Sequence, residues 1–437
     1  MAEEATESMH RPNEDEGWTK LQLMGGVDAV SDPKSGKEAK GKGVDKDPTL
    51  WGRPGHLTSS EADIYSKFKE EIDSRGGDFK DTIFCFGKEE GEVWAICRWL
   101  RARKYVYDDV IQMIEEATKV RQSAKEHEFY PNPVDALGCE ASLFYANYPQ
   151  LYSGYAKTGV PLFISKPGIL NVDGMECITT LDGIIKFHWH IMMHDFADRL
   201  RSQKAKDPDN FKRFECLCVL DLSNLTMSQL GRKTLAIIKE QSAIDSVAFP
   251  ETMSKMLLLN APSFFSVTWK LIKGWLDPRT SAKIEVISNK AEGEKRLLEL
   301  VEAEQLPSDY GGKAQDTGTT LATSCEGEEE RMETRMLSLR GHGSESIDIP
   351  AGYSAVVLAI TRSTSGAMFT ITDASLKGSL SPPVEVVHKD ESALLPTRQS
   401  LNEEKIVGPK TIKIKADSNA SRFSTHYYLL AVSFFKM

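Results

Sequence analysis

The sequence predicts an α/β protein in which an N-terminal helical lobe precedes an α/β domain with a largely parallel sheet, followed by a C-terminal β-sandwich. Three observations lead to this fold class. Apolar residues recur at helical spacing between residues 59 and 125. Strand-like apolar segments then alternate with helix-length stretches as far as residue 288, which is typical of parallel strands joined by helical crossovers. From residue 347 onwards the segments are short, alternating and separated by turn residues, which favours a β-sandwich.

Changes in composition divide the chain into five segments. Residues 1–56 are rich in Gly, Lys, Glu and Asp, and we expect a disordered tail because so few apolar side chains cannot offset the entropy of ordering. The helical lobe takes residues 57–130 and the α/β domain takes residues 131–313. Residues 314–336 contain an acidic run and indicate a linker that transmits little structure to the sandwich at 337–437.

Composition favours a cytoplasmic protein that touches membranes only at their surface. The chain has 437 residues and seven cysteines without a CxxC pair, which argues against a disulfide framework. Its opening residues, MAEEATESMH, lack the apolar core of a signal peptide, and no run approaches the roughly 20 apolar residues of a membrane-spanning helix. A net charge of −10 argues against a nucleic-acid partner, since binding to phosphate backbones needs clustered positive charge.

One predicted helix near the end of the α/β domain is unusually apolar. Residues 263–276 carry two adjoining apolar stripes, which make a wider face than a single packing seam needs. Asp277 and Pro278 follow as a helix-start signature, and Lys283 comes shortly after. An apolar helix beside a turn that suits an anion indicates a ligand with two apolar chains and a phosphate head. The stripes are Phe265, Trp269, Ile272 and Leu276, and Phe264, Val267, Leu271 and Trp275.

This segment resembles the CRAL-TRIO lipid-binding family, and within it the fungal phosphatidylinositol/phosphatidylcholine transfer branch. Three further motifs lie in the order that the family has, so that the resemblance spans roughly residues 60–313. It implies a lipid carrier or sensor, and it implies no cofactor. The three motifs are RWLRARKY at 98–105, Tyr148-Pro149-Gln150, and LPSDYGG at 306–312.

The resemblance gives the apolar helix the role of a lid that also meets the bilayer. A two-chain phospholipid carries on the order of 30 methylene groups, each worth about 0.8 kcal/mol when withdrawn from water, so a carrier needs a closed apolar cavity. The helix would cover the lipid chains when shut and face the membrane when open. The alternative is that it simply packs into the core of the domain. The predicted lid and membrane-contact residues are Phe264, Phe265, Trp269, Ile272 and Trp275.

Family positions that contact phosphatidylinositol carry matching residue types here, namely Arg103, Glu251, Thr280 and Lys283. Tyr152 completes the head-group set that the resemblance implies. The chemistry agrees, because a phosphodiester needs a cation with oriented donors and inositol hydroxyls need a carboxylate and a hydroxyl partner. The alternative is that Arg103 and Glu251 form a salt bridge and that Thr280 caps a turn.

The second ligand of this branch, phosphatidylcholine, is less well matched. Cys216 and Cys218 lie two residues apart, and so on one strand face, where the branch has hydroxyl side chains. Phe163 replaces a tyrosine of the same site. Because thiols are poor hydrogen-bond donors, we expect weak phosphatidylcholine exchange and a more apolar second lipid in the cavity.

Two other chemistries are weighed against lipid binding. His190, His194 and Asp198 fall at helical i, i+4 and i+8 positions, which suits contacts within a pocket or core better than a metal site. The motifs GxSxG, GxxxxGK[ST], HExxH and GxGxxG are missing from the sequence, so we expect a protein that is not an enzyme.

The predicted sandwich resembles the GOLD (Golgi dynamics) domain that follows the lipid-binding domain in some relatives. The resemblance rests on the order of its strand segments, on Pro350-Ala351-Gly352 near its start and on Asp417-Ser418-Asn419 before its closing strand. It implies a protein partner for the sandwich. The alternative to a lipid carrier is therefore a lipid-regulated scaffold that recruits partners through this domain.

Overall fold

The computed structural model describes residues 18–25, 49–322, 331–375, 378–390, 395–418 and 424–437. The chain forms two compact units. The first unit takes residues up to 123 with 199–214 and 244–252, and the second takes 124–198, 215–243 and 253–437.

The helices are α1 (Lys20–Leu23), α2 (Ser59–Arg75), α3 (Gly77–Ile83), α4 (Glu92–Ala102), α5 (Tyr107–Glu126), α6 (Pro133–Leu137), α7 (Ala141–Asn147), α8 (Val172–Ile178), α9 (Leu181–His190), α10 (Ala197–Lys206), α11 (Arg232–Ala248), α12 (Phe265–Lys273), α13 (Pro278–Ala282), α14 (Lys290–Leu300) and α15 (Thr317–Ala322). The strands are β1 (Gln150–Tyr155), β2 (Pro161–Ser165), β3 (Cys216–Asp221), β4 (Met253–Leu259), β5 (Ile284–Ile287), β6 (Arg331–Leu339), β7 (His342–Ile349), β8 (Tyr353–Thr361), β9 (Ala367–Asp373), β10 (Val384–Val386), β11 (Thr397–Ser400), β12 (Ile406–Val407), β13 (Lys410–Ser418) and β14 (His426–Lys436).

The first unit confirms the predicted helical lobe. Helices α2 to α5 pack around a core in which Phe68 and Trp99 are fully buried. The indole Nε1 of Trp99 donates to the carbonyl of Ile83 at 3.1 Å, which satisfies its one polar atom. Arg98 and Glu90 form a buried ion pair with nitrogen–oxygen distances of 2.5 and 3.0 Å. These contacts join α4 to the end of α3 and to the short 3-10 helix at Lys88–Glu90.

The predicted disordered tail is wrong for the residues that the structure describes within it. The hydroxyl of Thr19 caps α1, and Leu23 at the end of that helix is only 1% exposed. Trp51 lies edge-on against Tyr105, with ring centroids 6.0 Å apart. The predicted tail is poor in apolar residues, but its described apolar side chains pack onto the core of the helical lobe and do not need a separate core. The other residues of the predicted tail lie outside the described ones.

The second unit contains the predicted, largely parallel sheet. Its strands are ordered β1-β2-β3-β4-β5, in which β1 is antiparallel to β2 and all other neighbours are parallel. The helices α8 to α11 lie between β2 and β3 or between β3 and β4 in the chain, as crossovers must. This arrangement confirms the fold class expected from alternating strand and helix signals.

The C-terminal residues of the second unit form the predicted β-sandwich. One antiparallel sheet is ordered β10-β9-β13-β7 and the other β11-β8-β14-β6, with β12 paired to β8. Their inward side chains form one buried cluster that includes Phe369, Ile414 and Tyr428. The ring of Phe369 meets that of Tyr428 edge-on at 5.3 Å. The alternation of buried and exposed residues along β13 is the period-two pattern that the sequence displays.

The predicted acidic linker is wrong at both of its described ends. Residues 317–322 form α15, and β6 begins at Arg331, within the predicted linker. Thr317 is fully buried, and its hydroxyl donates to Asp309 at 2.5 Å. Lys166 in turn pairs with Asp309 at 3.1 Å. One buried threonine bonded to a carboxylate therefore anchors a segment whose composition indicates a flexible chain. Residues 323–330 lie outside the described ones.

Candidate functional site

One row of side chains crosses the sheet of the second unit and is only half-buried. The strand register aligns one residue from each strand in this row. The rings of Tyr152 and Phe163 lie 5.1 Å apart at one end. The neighbouring row, whose side chains point to the opposite face, is buried over the central strands at Ile164, Val219 and Leu257. The half-buried row, which we call the ligand row, is Tyr152, Phe163, Cys218, Met256 and Ile284.

The ligand row brings together the residues predicted for the second ligand. Phe163 and Cys218 are direct neighbours on β2 and β3. Cys216 lies two residues before Cys218, and the two sulfur atoms are 3.3 Å apart. Both cysteines are half-buried. The shared strand face predicted for them is therefore correct, and it is the same face that carries Tyr152 from the predicted head-group set.

Helix α12 packs against this face of the sheet. It runs from Phe265 to Lys273, shorter at both ends than the predicted 263–276. Phe265 is 4% exposed and belongs to a buried cluster with residues from the ends of β3 and β4. Phe264 and Trp269 pack against the same cluster, as do Met256 and Ile284 of the ligand row. The apolar helix thus covers part of the ligand row.

The exposure of the side chains along α12 differs from what was predicted for the lid and membrane contact. Phe265 is buried inward, while Ile272 and Trp275 are half-buried. The apolar side chains that reach water are Val267, 73% exposed, and Leu271, 50% exposed. The predicted lid set therefore contains mainly inward-facing residues, and it lacks the two outward ones. Both stripes are visible in the sequence, but periodicity alone does not say which of them faces the core.

The turn after α12 forms as the sequence predicts. Asp277 caps α13, because its carboxylate accepts a hydrogen bond from the backbone N–H of Arg279 at 2.8 Å. Thr280 lies inside this short helix and is half-buried, so it does not serve as the cap. Lys283 follows the helix, and its Nζ donates to the carbonyl of Met253 at 3.0 Å. The ammonium group is thereby held beside the start of β4.

An unpredicted network surrounds Asp221 at the carboxyl end of β3. Its carboxylate accepts hydrogen bonds from Ser223, from Asn260 at 2.8 Å and from the hydroxyl of Tyr310 at 2.8 Å. Burial raises the pKa of Asp221, but these hydrogen bonds outweigh it and hold the pKa below its usual value. Asn260 adopts a positive φ of 54° just before the segment that leads into α12. The network therefore fixes the chain at the base of that helix.

The remaining two head-group candidates, Arg103 and Glu251, belong to the first unit. Arg103 follows α4, and its guanidinium donates to the carbonyl of Ala102 at 3.3 Å. Glu251 pairs with Arg101 at 3.3 Å, where the side chain of Arg101 is 6% exposed and that of Glu251 is 10% exposed. Arg101 was not among the predicted residues, although it lies two positions before Arg103 in the RARK string.

The histidines of the second unit have structural partners. His190 Nδ1 lies 2.7 Å from the carbonyl of Tyr130, and His194 Nε2 lies 3.0 Å from that of Glu128. Both carbonyls belong to residues with positive φ. The helical spacing expected for the histidines is altered, because the segment Ile191–Phe196 is π-helical. Within the described part of the chain, no three metal-ligating side chains are grouped so as to hold a metal ion.

Comparison with known proteins identifies the domain. Residues 145–312 match the family described as CRAL/TRIO domain. The chain is 28% identical over 270 residues to the SEC14 cytosolic factor of Candida glabrata, which covers 61% of this chain and 82% of that protein. It is 28% identical over 217 residues to the phosphatidylinositol/phosphatidylcholine transfer protein SFH9 of Arabidopsis thaliana, covering 49% of this chain and 36% of that protein. The crystal structure of Sfh5 aligns with a TM-score of 0.44 and 15% identity, over 60% of this chain and 91% of the other.

No helix among the described residues combines the length and the apolar character that crossing a bilayer requires. The GOLD-like identity of the sandwich stays a prediction. The resemblance in the α/β region, by contrast, is confirmed, because residues 145–312 match the CRAL-TRIO domain and the chain is similar to the fungal SEC14 cytosolic factors.

Proposed function

We propose that this protein binds a phospholipid with an inositol head group and moves it between membranes or presents it at a membrane surface. The observation that carries the proposal is the similarity to the SEC14 cytosolic factor across 270 residues, together with relatives named as phosphatidylinositol/phosphatidylcholine transfer proteins. The ligand row supports it, because half-buried apolar side chains beneath an apolar helix suit acyl chains.

The lipid chains lie, in this proposal, between the ligand row and α12 in a closed apolar cavity. Each methylene group withdrawn from water contributes about 0.8 kcal/mol, so full enclosure of two chains is strongly favourable. Opening requires α12 to leave the cluster that Phe265 and Trp269 now join. The Asp221 network lies at the base of α12 and would act as the anchor about which the helix moves.

The head group is bound, in this proposal, by Lys283, Thr280 and Tyr152 of the second unit. The supporting contact is that of Lys283, whose ammonium is held by the carbonyl of Met253, because a cation held in place suits a phosphate. A head-group role for Arg103 and Glu251 of the first unit stays a prediction from the family resemblance.

Membrane contact is proposed for the outer side of α12. Val267 and Leu271 expose apolar surface there, and Lys270 and Lys273 on the same helix are exposed. Apolar side chains flanked by lysines suit an anionic bilayer surface. Association is therefore expected to be peripheral and transient.

The test is lipid analysis followed by exchange. Mass spectrometry of lipid that co-purifies with the full chain should find an inositol phospholipid in about one-to-one ratio. Labelled phosphatidylinositol should then move from donor to acceptor vesicles faster with the protein than without it, and phosphatidylcholine should move more slowly. A protein that carries no lipid and accelerates neither exchange would refute the proposal.

A lipid-regulated scaffold is the second candidate. It is favoured by the packing of the sandwich against α7 and α8 of the α/β region, which gives a physical route between the two. A carrier accelerates exchange between vesicles, whereas a scaffold retains its bound lipid. If the protein is fully loaded with lipid but does not accelerate exchange between vesicles, that result would favour the scaffold.

A further inference from the structure

Cys216 and Cys218 have the geometry from which a disulfide can form. Their sulfur atoms are 3.3 Å apart, while a disulfide bond measures about 2.05 Å, so each sulfur would move by less than about 1 Å. Residues two apart on a strand have Cα atoms about 6.6 Å apart, inside but near the upper end of the disulfide range of about 4.4–6.8 Å. The bond therefore requires the backbone of β3 to contract locally, because a disulfide holds its Cβ atoms only about 3.8 Å apart, and it is strained.

The backbone beside this pair is irregular. The register between β3 and β4 shifts between Cys216 and Leu217, which leaves Ser254 as an extra residue on β4. The hydroxyl of Ser254 donates to the carbonyl of Cys216 at 2.8 Å. A bulge of this kind bends and twists the pair of strands. The first cysteine thus lies where the sheet can adjust most easily to a shorter distance between the sulfur atoms.

The other described thiols are poorly placed for oxidation. Cys97, Cys139 and Cys177 are buried, and burial raises the pKa of each to about 12. Burial also raises the pKa of Cys85. Since the thiolate is the species that reacts with oxidants, these four thiols react slowly at neutral pH. Cys216 and Cys218, in contrast, are half-buried side by side on the ligand row face.

We propose that Cys216 and Cys218 are a reversible redox pair, and that their oxidation lowers lipid loading. The oxidant is of the peroxide class. One thiolate attacks the peroxide, its O–O bond breaks, and a sulfenic acid and one water form. The second thiol then displaces the hydroxyl as a second water, which leaves the S–S bond. Two thiols and one hydrogen peroxide thus give one disulfide and two waters.

The effect of the disulfide on lipid loading follows from the position of Cys218, and it rests on the proposed function. Cys218 lies between Phe163 and Met256 in the ligand row. A disulfide would draw its side chain along β3 towards Cys216 and replace two adaptable thiols with a rigid group. The surface that acyl chains contact would change shape. Because the bond is strained, thiol reductants should open it readily, which makes the change reversible.

The experiment treats the full chain with hydrogen peroxide, blocks remaining thiols with iodoacetamide and digests with trypsin. Cleavage after Arg213 and Arg232 releases both cysteines in one peptide that contains no other cysteine. The expected peptide is unalkylated and two hydrogens lighter, and dithiothreitol restores two alkylation sites. C85S should behave like the wild type, and C216S should give no such peptide. Loading from phosphatidylinositol vesicles is measured on the same samples before and after oxidation.

Each outcome has a separate meaning. The lighter peptide together with less lipid bound, restored by dithiothreitol and absent in C216S, supports the proposal. Overoxidation of either cysteine without the S–S bond, or a disulfide that leaves loading unchanged, overturns it. If the disulfide forms but neither redox state binds lipid, the proposed function fails, whereas the redox chemistry of the pair stands by the peptide mass alone.

Discussion

Arg398 of the sandwich donates two hydrogen bonds to the carboxylate of Glu140 in the α/β region, at 2.5 and 3.0 Å. This bidentate pair lies beside the contact of the sandwich with α7 and α8. Burial raises the pKa of Glu140, but Arg398 outweighs it and the pKa lies below its usual value. The pair therefore stabilises the fold above the unfolded pKa of about 4, and its contribution is lost as pH falls through the lower folded value.

We expect Arg398→Ala to lower the free energy of unfolding by only about 0.2–1 kcal/mol, because both side chains remain partly exposed to water. A double-mutant cycle with Glu140→Gln, measured by urea unfolding at pH 7, should give a coupling energy in that range. The coupling should be weaker at about pH 3, because the pH then approaches the lowered folded pKa of Glu140. A coupling that is the same at both pH values would show that the attraction is not ionic.

Removing the sandwich should cost stability but leave lipid binding. Helix α8 packs against β14 and β8, and its residues Met175 and Ile178 are buried. A chain that ends at Ala322, after the anchored Thr317, should unfold at a lower temperature than the full chain and still load lipid from vesicles. Loss of loading in a fragment with normal circular dichroism would show that the sandwich is needed for binding.

The strands of the sheet were predictable from sequence because each is a local pattern. The run 216–220 is apolar throughout, as expected for a strand between two parallel neighbours. The Asp221 network is different. Asn260 and Tyr310 lie 39 and 89 positions away in the chain, and only the finished fold brings their donors to one carboxylate. A single sequence carries no local signal for such an arrangement.

The sequence also does not predict which face of α12 is buried, although that helix is a short, local element. Phe265 and Val267 belong to two adjoining apolar stripes, and either stripe satisfies the periodicity of an amphipathic helix. The cluster at the ends of β3 and β4 selects the stripe of Phe265, which leaves Val267 in water. The head-group residues were reached by resemblance alone. Their joint role in binding the head group stays a prediction.

The outer side of α12 should control exchange between vesicles. Val267→Asp with Leu271→Asp removes the exposed apolar surface and adds repulsion from anionic lipid, so we expect exchange to fall severely while stability is little changed. Ser266→Asp, exposed on the same helix, is the control for added charge. Phe265→Asp should instead unfold the buried cluster. Exchange at the wild-type rate in the double variant would exclude this side of α12 as the membrane contact.

Lys283→Ala should weaken inositol-lipid binding. A charge-assisted hydrogen bond to a buried phosphate contributes about 1.5–3 kcal/mol, which corresponds to a loss of roughly ten- to a hundredfold in affinity. Thr280→Asp should be worse, because a carboxylate repels the phosphate. Binding of a lipid without the inositol head should change little in either variant. Competitive loading from mixed vesicles measures this, and equal inositol-lipid occupancy in all three proteins would show that both positions are structural.

Lys283 also bonds to the carbonyl of Met253, so a structural loss must be separated from a loss of ligand contact. Lys283→Arg keeps the charge and a donor for that carbonyl, and we expect it to bind inositol lipid better than the alanine variant. The unfolding free energies of both variants should be measured beside the loading. A fall in loading that only parallels a fall in stability would count against a head-group contact.

Tyr310→Phe tests the anchor at the base of α12. The phenol donates to the buried carboxylate of Asp221, so its removal should lower the free energy of unfolding by about 1.5–3 kcal/mol at pH 7. The loss should also raise the pKa of Asp221, since one of the bonds that stabilise the ionised form is gone. The wild type draws stability from this depressed pKa above about pH 4, the unfolded value, and loses it as pH falls through the folded value. The difference in unfolding free energy between wild type and Tyr310→Phe should therefore shrink as the pH is lowered through that range, which urea unfolding between pH 7 and pH 2.5 would measure.

Tyr427→Phe, on β14 of the sandwich, serves as a control with the same chemical change. A Tyr310→Phe variant that is as stable as the wild type at pH 7 would mean that Ser223 and Asn260 suffice to hold Asp221.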